Sequence, residues 1–232
     1  LSRFCGECIY QEELNHRCRA GGLQVHREVL LQVTHGDFTK PYYLDMLLEH
    51  GIIYELKAVE ALNSNHEKQL INYLLLAGLT HGKLVNFRPG SVESRFVSAR
   101  LARSDRSEFE IIDGDWEGDD GASRRLHDVL CELLDDWGAF LDVSLYREAL
   151  LHFLDGSAPG VQLVSIDVAG HTVGTQRMCV LDGQTAWHLS AVRRHLQSYE
   201  THTYRLLRHT PLERIHWINL DQRTVTLKTL RK

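Results

Sequence analysis

The spacing of apolar and polar positions changes along the chain in a regular order, and each change predicts an element. ECIYQEELNHRCRAGG reads as a helix stopped at Gly21 or Gly22, because glycine closes a helix without a Cβ penalty. LQVHREVLLQVTHGDF holds β-branched and apolar residues in short runs and predicts two extended pieces. PYYLDMLL, then EHG, then IIYELKAVE predicts a β-hairpin with glycine in a turn around Glu49 to Gly51. NSNHEKQLINYLLLAGL opens on Asn and Ser capping candidates and sets Leu70, Tyr73, Leu74 and Ala77 at helical spacing. KLVNF is a short apolar strand, and SVESRFVSA alternates like an edge strand. This order predicts an α/β class, a mixed sheet flanked by helices.

The order then recurs. RRLHDVLCELLDDWGAFLDVSLYREALLHFL is helical, VQLVSIDVAGHTVGTQRMCVLDGQTAWHLSAVR reads as strands, and SYETHTYRLLRHTPL as a helix. IHWINL follows as a strand and RTVTLKTL as a final edge. Sliding the chain on itself by 133 positions aligns residues 42–87 with 175–220 without a gap, with about eight identities in 46. Tyr54-Glu55-Leu56-Lys57-Ala58-Val59 falls on Trp187-His188-Leu189-Ser190-Ala191-Val192, and Asn86 on Asn219. Upstream, Tyr10-Gln11-Glu12-Glu13-Leu14 resembles Tyr146-Arg147-Glu148-Ala149-Leu150. Pattern rather than identity carries this expectation of a second, worn copy, against an unrelated α/β domain as the alternative.

Length fits one large domain or two small ones, and charge refines the division. Residues 1–103 hold 12 Lys/Arg against 11 Asp/Glu, and residues 123–232 hold 13 against 12. Residues 104–122 hold one against eight, so the net charge of −5 sits in a single short stretch. Such a stretch, with three glycines, reads as a solvated acidic linker; mimicry of nucleic-acid charge is the sharper alternative. The domains expected are therefore 1–103, a linker 104–122, and 123–232. A hydrophobic content of 43% is ordinary for a soluble protein, and no apolar run approaches the ~20 residues that span a bilayer. No membrane partner is expected. No signal-peptide pattern opens the chain, which begins at Leu1. Five cysteines without a regular framework fit a reducing, cytoplasmic setting.

Chemistry concentrates in the hairpin. Glu55 and Lys57 are two apart on one strand and share a face, and the turn brings Asp45 opposite or diagonal to Glu55. Two neighbouring carboxylates repel unless a cation lies between them. Oxygen ligation of this kind suits Mg²⁺ or Mn²⁺ rather than zinc. The lysine then has a task, to orient or deprotonate water or to stabilise charge on a phosphate. A solvated, salt-bridged hairpin face is the bland alternative.

These residues resemble a family. ECIYQEEL, Asp45, Glu55-Leu56-Lys57-Ala58-Val59-Glu60, His66 with Gln69 and Tyr73, and Leu84-Val85-Asn86-Phe87 are similar to the small bacterial GxxExxY proteins. That family is a branch of the PD-(D/E)xK nuclease-like superfamily, and the resemblance covers roughly residues 6–98. It implies a restriction-endonuclease-like fold and a metal-dependent nuclease hydrolysing phosphodiester bonds, in DNA, with RNA as the alternative. By resemblance Asp45 and Glu55 ligate Mg²⁺ or Mn²⁺ with help from the Leu56 carbonyl, Lys57 serves the activated water or the scissile phosphate, and Glu12 and Gln69 support the site. The family's first glycine falls at Phe4, which puts the start of the first helix in question. A non-catalytic module that binds nucleic acid or protein on the same fold is the second reading, and an assembly role for the C-terminal half the third.

In the aligned copy Asp45 meets Met178, Glu55 meets His188, Lys57 meets Ser190 and Gln69 meets His202. Residues 123–232 are thus expected to be catalytically dead, packed as the partner in an intramolecular pseudo-dimer, with a homodimer as the other arrangement. Cys5, Cys8, His16 and Cys18 lack regular zinc spacing and read as packing or surface thiols. His188 and His202 invite a soft metal, and Trp187 and Trp217 read as core. Arg193, Arg194, Arg205, Arg208 and Arg214 serve phosphates or a solvated helix face equally well. No Walker loop, dinucleotide fingerprint or nucleophile elbow is present.

Overall fold

The computed structural model describes residues 2, 4–49, 51–154 and 160–232. His50, in the expected turn, lies outside the described residues. The chain divides into two compact units, Leu1–Asp105 and Arg106–Lys232, and each holds one mixed sheet flanked by helices.

The first unit runs α1 (Glu7–Ala20), β1 (Val25–His35), β2 (Phe38–Leu48), β3 (Ile52–Lys57), α2 (Ser64–Ala77), β4 (His81–Asn86) and β5 (Glu93–Ser98), followed by the one-turn helix α3 (Arg103–Arg106). The strands lie in sequence order, and only β3 and β4 run parallel. Short turns join antiparallel neighbours, whereas a parallel pair needs a crossover, and α2 supplies it. Asn63 caps α2 by accepting from the backbone of Asn65 and His66, while His66 Nδ1 accepts from Asn63 N. The helix ends at Gly78, whose φ of 66° is the left-handed conformation glycine tolerates.

Alternation along the strands assigns the faces. Val85 and Leu56 pack with Val25, Met46 and Leu48 against Leu14 and Cys18 of α1. Gly82, Leu84 and Asn86 therefore face α2, as do Glu55 and Lys57. A Cβ on Gly82 would meet Leu70 of α2 at 2.9 Å, so the bare glycine lets that helix settle on the sheet. The stretch expected as two extended pieces is one strand of 11 residues, β1. His26, Glu28, Gln32 and Thr34 point to the exposed face while Arg27 lies half-buried on the other, and Glu28, at φ 47°, locally breaks the regular backbone without ending the strand.

The second unit runs β6 (Glu110–Asp115), α4 (Gly121–Trp137), α5 (Val143–Leu154), β7 (Gly160–Val168), β8 (His171–Val180), β9 (Thr185–Ser190), α6 (Leu196–Arg208), β10 (Arg214–Asp221) and β11 (Thr224–Arg231). Two findings depart from expectation. The acidic stretch is no bare linker: it contains β6, which pairs parallel with β11, so β11 is not the edge. The long helical run is two helices, broken at Gly138 (φ 74°), where a Cβ would lie 2.6 Å from the Arg106 carbonyl oxygen.

Strands β7 to β11 repeat the order and directions of β1 to β5. From β2 and β8 onward the register repeats too, at an offset of 133, while β7 is shifted by one residue against β8 relative to the β1–β2 pair. Met46↔Tyr54 returns as Cys179↔Trp187, Ile53↔Gly82 as Ala186↔Ile215, and Asn86↔Glu93 as Asn219↔Thr226. The side-chain bonding matches as well. Asn86 accepts from Val59 N and donates to Val59 O, and Asn219 does the same with Val192. Helix α5 stands where α1 stands in the chain order, and β6 and α4 are additions.

Candidate active site of the N-terminal unit

Asp45 sits where β2 and β3 part. The last pair of that ladder is Met46↔Tyr54. Beyond it Leu56 N donates to Asp45 Oδ2 at 2.7 Å, so a carboxylate replaces the backbone acceptor. Gln11 of α1 fixes the same residue from the other side, its Nε2 donating to the Asp45 carbonyl at 3.0 Å. Leu56 itself is fully buried on the α1 face.

Glu55 is 1% exposed. Its Oε1 accepts from Lys57 Nζ at 2.5 Å, while Oε2, equally buried, has no hydrogen-bond partner among the described residues. Burial, and then the Asp45 carboxylate, push the Glu55 carboxyl up to about 7, against the pull of Lys57. Burial also raises Asp45, opposed by the Leu56 amide and Lys57. Burial alone would lower the Lys57 ammonium, but Glu55, Glu7 and Asp45 outweigh it and it rises. Two sequestered carboxylates thus share one ammonium, an excess of negative charge that a divalent cation would relieve.

The other expected residues separate. Gln69 of α2 donates from Nε2 to Tyr73 Oη at 2.9 Å. The carboxylates of Glu55 and Asp45 bear on the Tyr73 hydroxyl, which burial raises first of all. Glu12 stands apart: it is exposed and pairs with Arg27. The α1 carboxylate whose charge reaches Asp45, Glu55 and Lys57 is Glu7, in the first turn. Its signal was the spacing Glu7-x-x-Tyr10, with Gln11 one turn further on the same helical face.

The donor set fits magnesium or manganese in one respect. A buried carboxylate oxygen is left over beside a second carboxylate, and Mg²⁺ is commonly held by one or two carboxylates with water and phosphate oxygens completing its shell. Among the described residues no three His, Cys, Asp or Glu side chains gather as a fuller metal cage, in either unit.

A Ser–His pair in the second unit resembles a nucleophile and is not one. Ser123 Oγ lies 2.7 Å from His216 Nε2 and donates to Asp120 at 2.8 Å, but Ser123 and His216 are both 0% exposed. Burial, then Arg214, hold His216 down at about 4, so the ring is neutral and ties α4 to β10. Of the basic cluster expected near α6, Arg214 is bound to Asp120 and Arg193 pairs with Asp221. Arg205 and Arg208 lie in the last turn of α6, where cations complement the helix dipole.

Residues 2–97 match the model of the PD-(D/E)XK nuclease superfamily. No curated protein matches the chain. A solved structure titled "Crystal structure of SSO0001" is similar at 21% identity, with a TM-score of 0.33. The match covers 41% of this chain and spans about half, 51%, of that one.

Proposed function

We propose that the N-terminal unit is a divalent-metal-dependent nuclease that hydrolyses phosphodiester bonds in DNA. The observation that carries this is the buried pair Asp45 and Glu55, with one carboxylate oxygen unpartnered and Lys57 alongside. The superfamily match over the same residues supports it. A Mg²⁺ or Mn²⁺ ion held there, with the Leu56 carbonyl as a further oxygen, would acidify water and balance charge on the phosphodiester.

The chain's own groups do the rest. Asp45 is oriented by the Leu56 amide, so its carboxylate does not have to be ordered when the ion arrives. Lys57, kept as an ammonium, orients the water or neutralises charge growing on the phosphate. Tyr73, held by Gln69, lines the wall beside them. Glu7 adds negative charge that sharpens the demand for a cation. The C-terminal unit keeps the frame without the ligands, and we assign it no cutting. The free thiols fit a reducing cytoplasm, and among the described residues no helix is long and apolar enough to cross a membrane.

Purified protein is expected to cut DNA with Mg²⁺ or Mn²⁺ and not with a chelator. Lys57→Ala should lower turnover by about a hundredfold or more. Absence of metal-dependent cleavage across varied DNA and RNA, with Lys57→Ala behaving as wild type, would defeat the proposal. Binding that survives both the substitution and chelation would point instead to a non-catalytic module.

A further inference from the structure

The C-terminal unit has a cavity of about 580 Å³ at the place in its fold that corresponds to the metal site. Its volume lies within the range of small-molecule sites. Met178 and His188 line it where the register places Asp45 and Glu55 in the other unit. Among the described residues no aspartate or glutamate lines the cavity, whereas two arginines, two histidines and a glutamine do. In a chain of net charge −5 the lining has reversed sign.

Arg147 is central. It lies on α5 at the position equivalent to Gln11, and it is half-buried. No ion pair or hydrogen bond engages its side chain among the described residues, and its charge reaches His188, Cys179 and Tyr199. A half-buried guanidinium with no acidic partner among the described residues favours an anion, and its planar fork suits phosphate. Beside it, His188 Nε2 meets Tyr199 Oη at 2.5 Å, and the two rings stack with an interplanar angle of 18°. Burial, then Arg147, keep His188 below its usual value, so it offers a neutral ring. With that nitrogen committed to Tyr199, a soft metal bridging His188 and His202 is disfavoured. Met178, Leu206 and Ile215 add apolar wall, and exposed Arg177 lies at the rim.

We infer that this cavity receives a nucleotide, its phosphate against Arg147 and its base against the His188–Tyr199 rings. The ligand is either a free mononucleotide or the phosphorylated end of a strand. The inference does not depend on Lys57 or on metal.

Tryptophan fluorescence reads the site directly, because all four tryptophans lie in the second unit, Trp187 on the cavity wall. The full chain is titrated with AMP, with a short 5′-phosphorylated single strand, and with the same strand lacking the phosphate. Saturable binding of AMP supports the free nucleotide. Binding of the phosphorylated strand alone supports a strand end. In either case Arg147→Gln, which installs the residue of the other unit, should weaken binding by about tenfold or more. Lys57→Ala and chelation should leave it unchanged, which separates this site from the nuclease site. If Arg147→Gln fails to fold, Arg177→Ala replaces it and should weaken binding severalfold. Failure of both AMP and the phosphorylated strand to bind overturns the inference, as does equal binding with and without the phosphate. Indifference to the arginine substitution also overturns it.

Discussion

Asn86 and Asn219 are each buried and each satisfy both backbone groups of a valine beyond the preceding strand. Removing the amide leaves a part-buried N–H and C=O unpaired, at about 1–2 kcal/mol for each group. Asn86→Ala should therefore lower the stability of the first unit by about 2–4 kcal/mol in denaturant unfolding. It should also impair cleavage, because Lys57 O accepts from Phe87 N beside the same clamp. The identity of Asn86 with Asn219 was visible in the aligned sequences, but its function was not, since the partner valine is 27 residues away. The grouping of Asp45, Glu55 and Lys57 was legible because one hairpin sets all three. Glu7 was harder to find: the Glu7-x-x-Tyr10 spacing puts it on the right helical face, but only tertiary packing brings that helix end to the hairpin. Glu55 also carries a pH signature. Its folded value of about 7 exceeds the usual carboxylate value of 4.5, so the fold holds a proton the unfolded chain has released. Stability from this group is full below pH 4.5 and is lost as pH rises through 7, by on the order of 3 kcal/mol. Urea melts at pH 5 and pH 8 should show the loss, Glu55→Gln should remove it, and Mg²⁺ should offset it at the higher pH.

The element that composition misread is β6. Its charge and glycine content describe a solvated stretch, and its side chains are indeed mostly exposed. What holds the stretch is the backbone ladder to β11 together with matched cations. Lys228 lies 3.2 Å from Asp115, Arg223 3.0 Å from Glu108, and Arg231 pairs with Glu117. Each exposed pair is worth only about 0–1 kcal/mol, so the ladder and the pairs act together. Reversing Arg223, Lys228 and Arg231 to glutamate should release β6. Hydrogen exchange at Ile111 and Ile112 should then quicken by about tenfold or more, with the rest of the sheet little changed. The strand was illegible because the partner cations follow it by more than 100 residues. The break between α4 and α5 is a related case. Gly138→Ala would place a side chain on left-handed backbone against Arg106, costing about 2–4 kcal/mol. Thermal unfolding of that variant checks it.

At the scale of the molecule the units answer acidity in opposite senses. His216 in the second unit is held at about 4, below the usual histidine value of 6.5, so its neutral form is the folded one. Between those values the unfolded chain binds a proton that the fold refuses, and stability is lost as pH falls through that window, by on the order of 3 kcal/mol. Tryptophan emission, confined to residues 106–232, should report a second unit that weakens from pH 6.5 to 4, while Glu55 contributes the reverse trend to the first.

Two sheets of the same strand order, with the same register in their central ladders and written in tandem on one polypeptide, also offer each strand a wrong neighbour. During renaturation β3 can seek β10, and β9 can seek β4, with every ladder hydrogen bond available to the mispaired product. Renaturation from complete denaturation should accordingly show a slow, concentration-independent phase of unscrambling. That phase should vanish when the experiment starts from molecules in which only one sheet has melted.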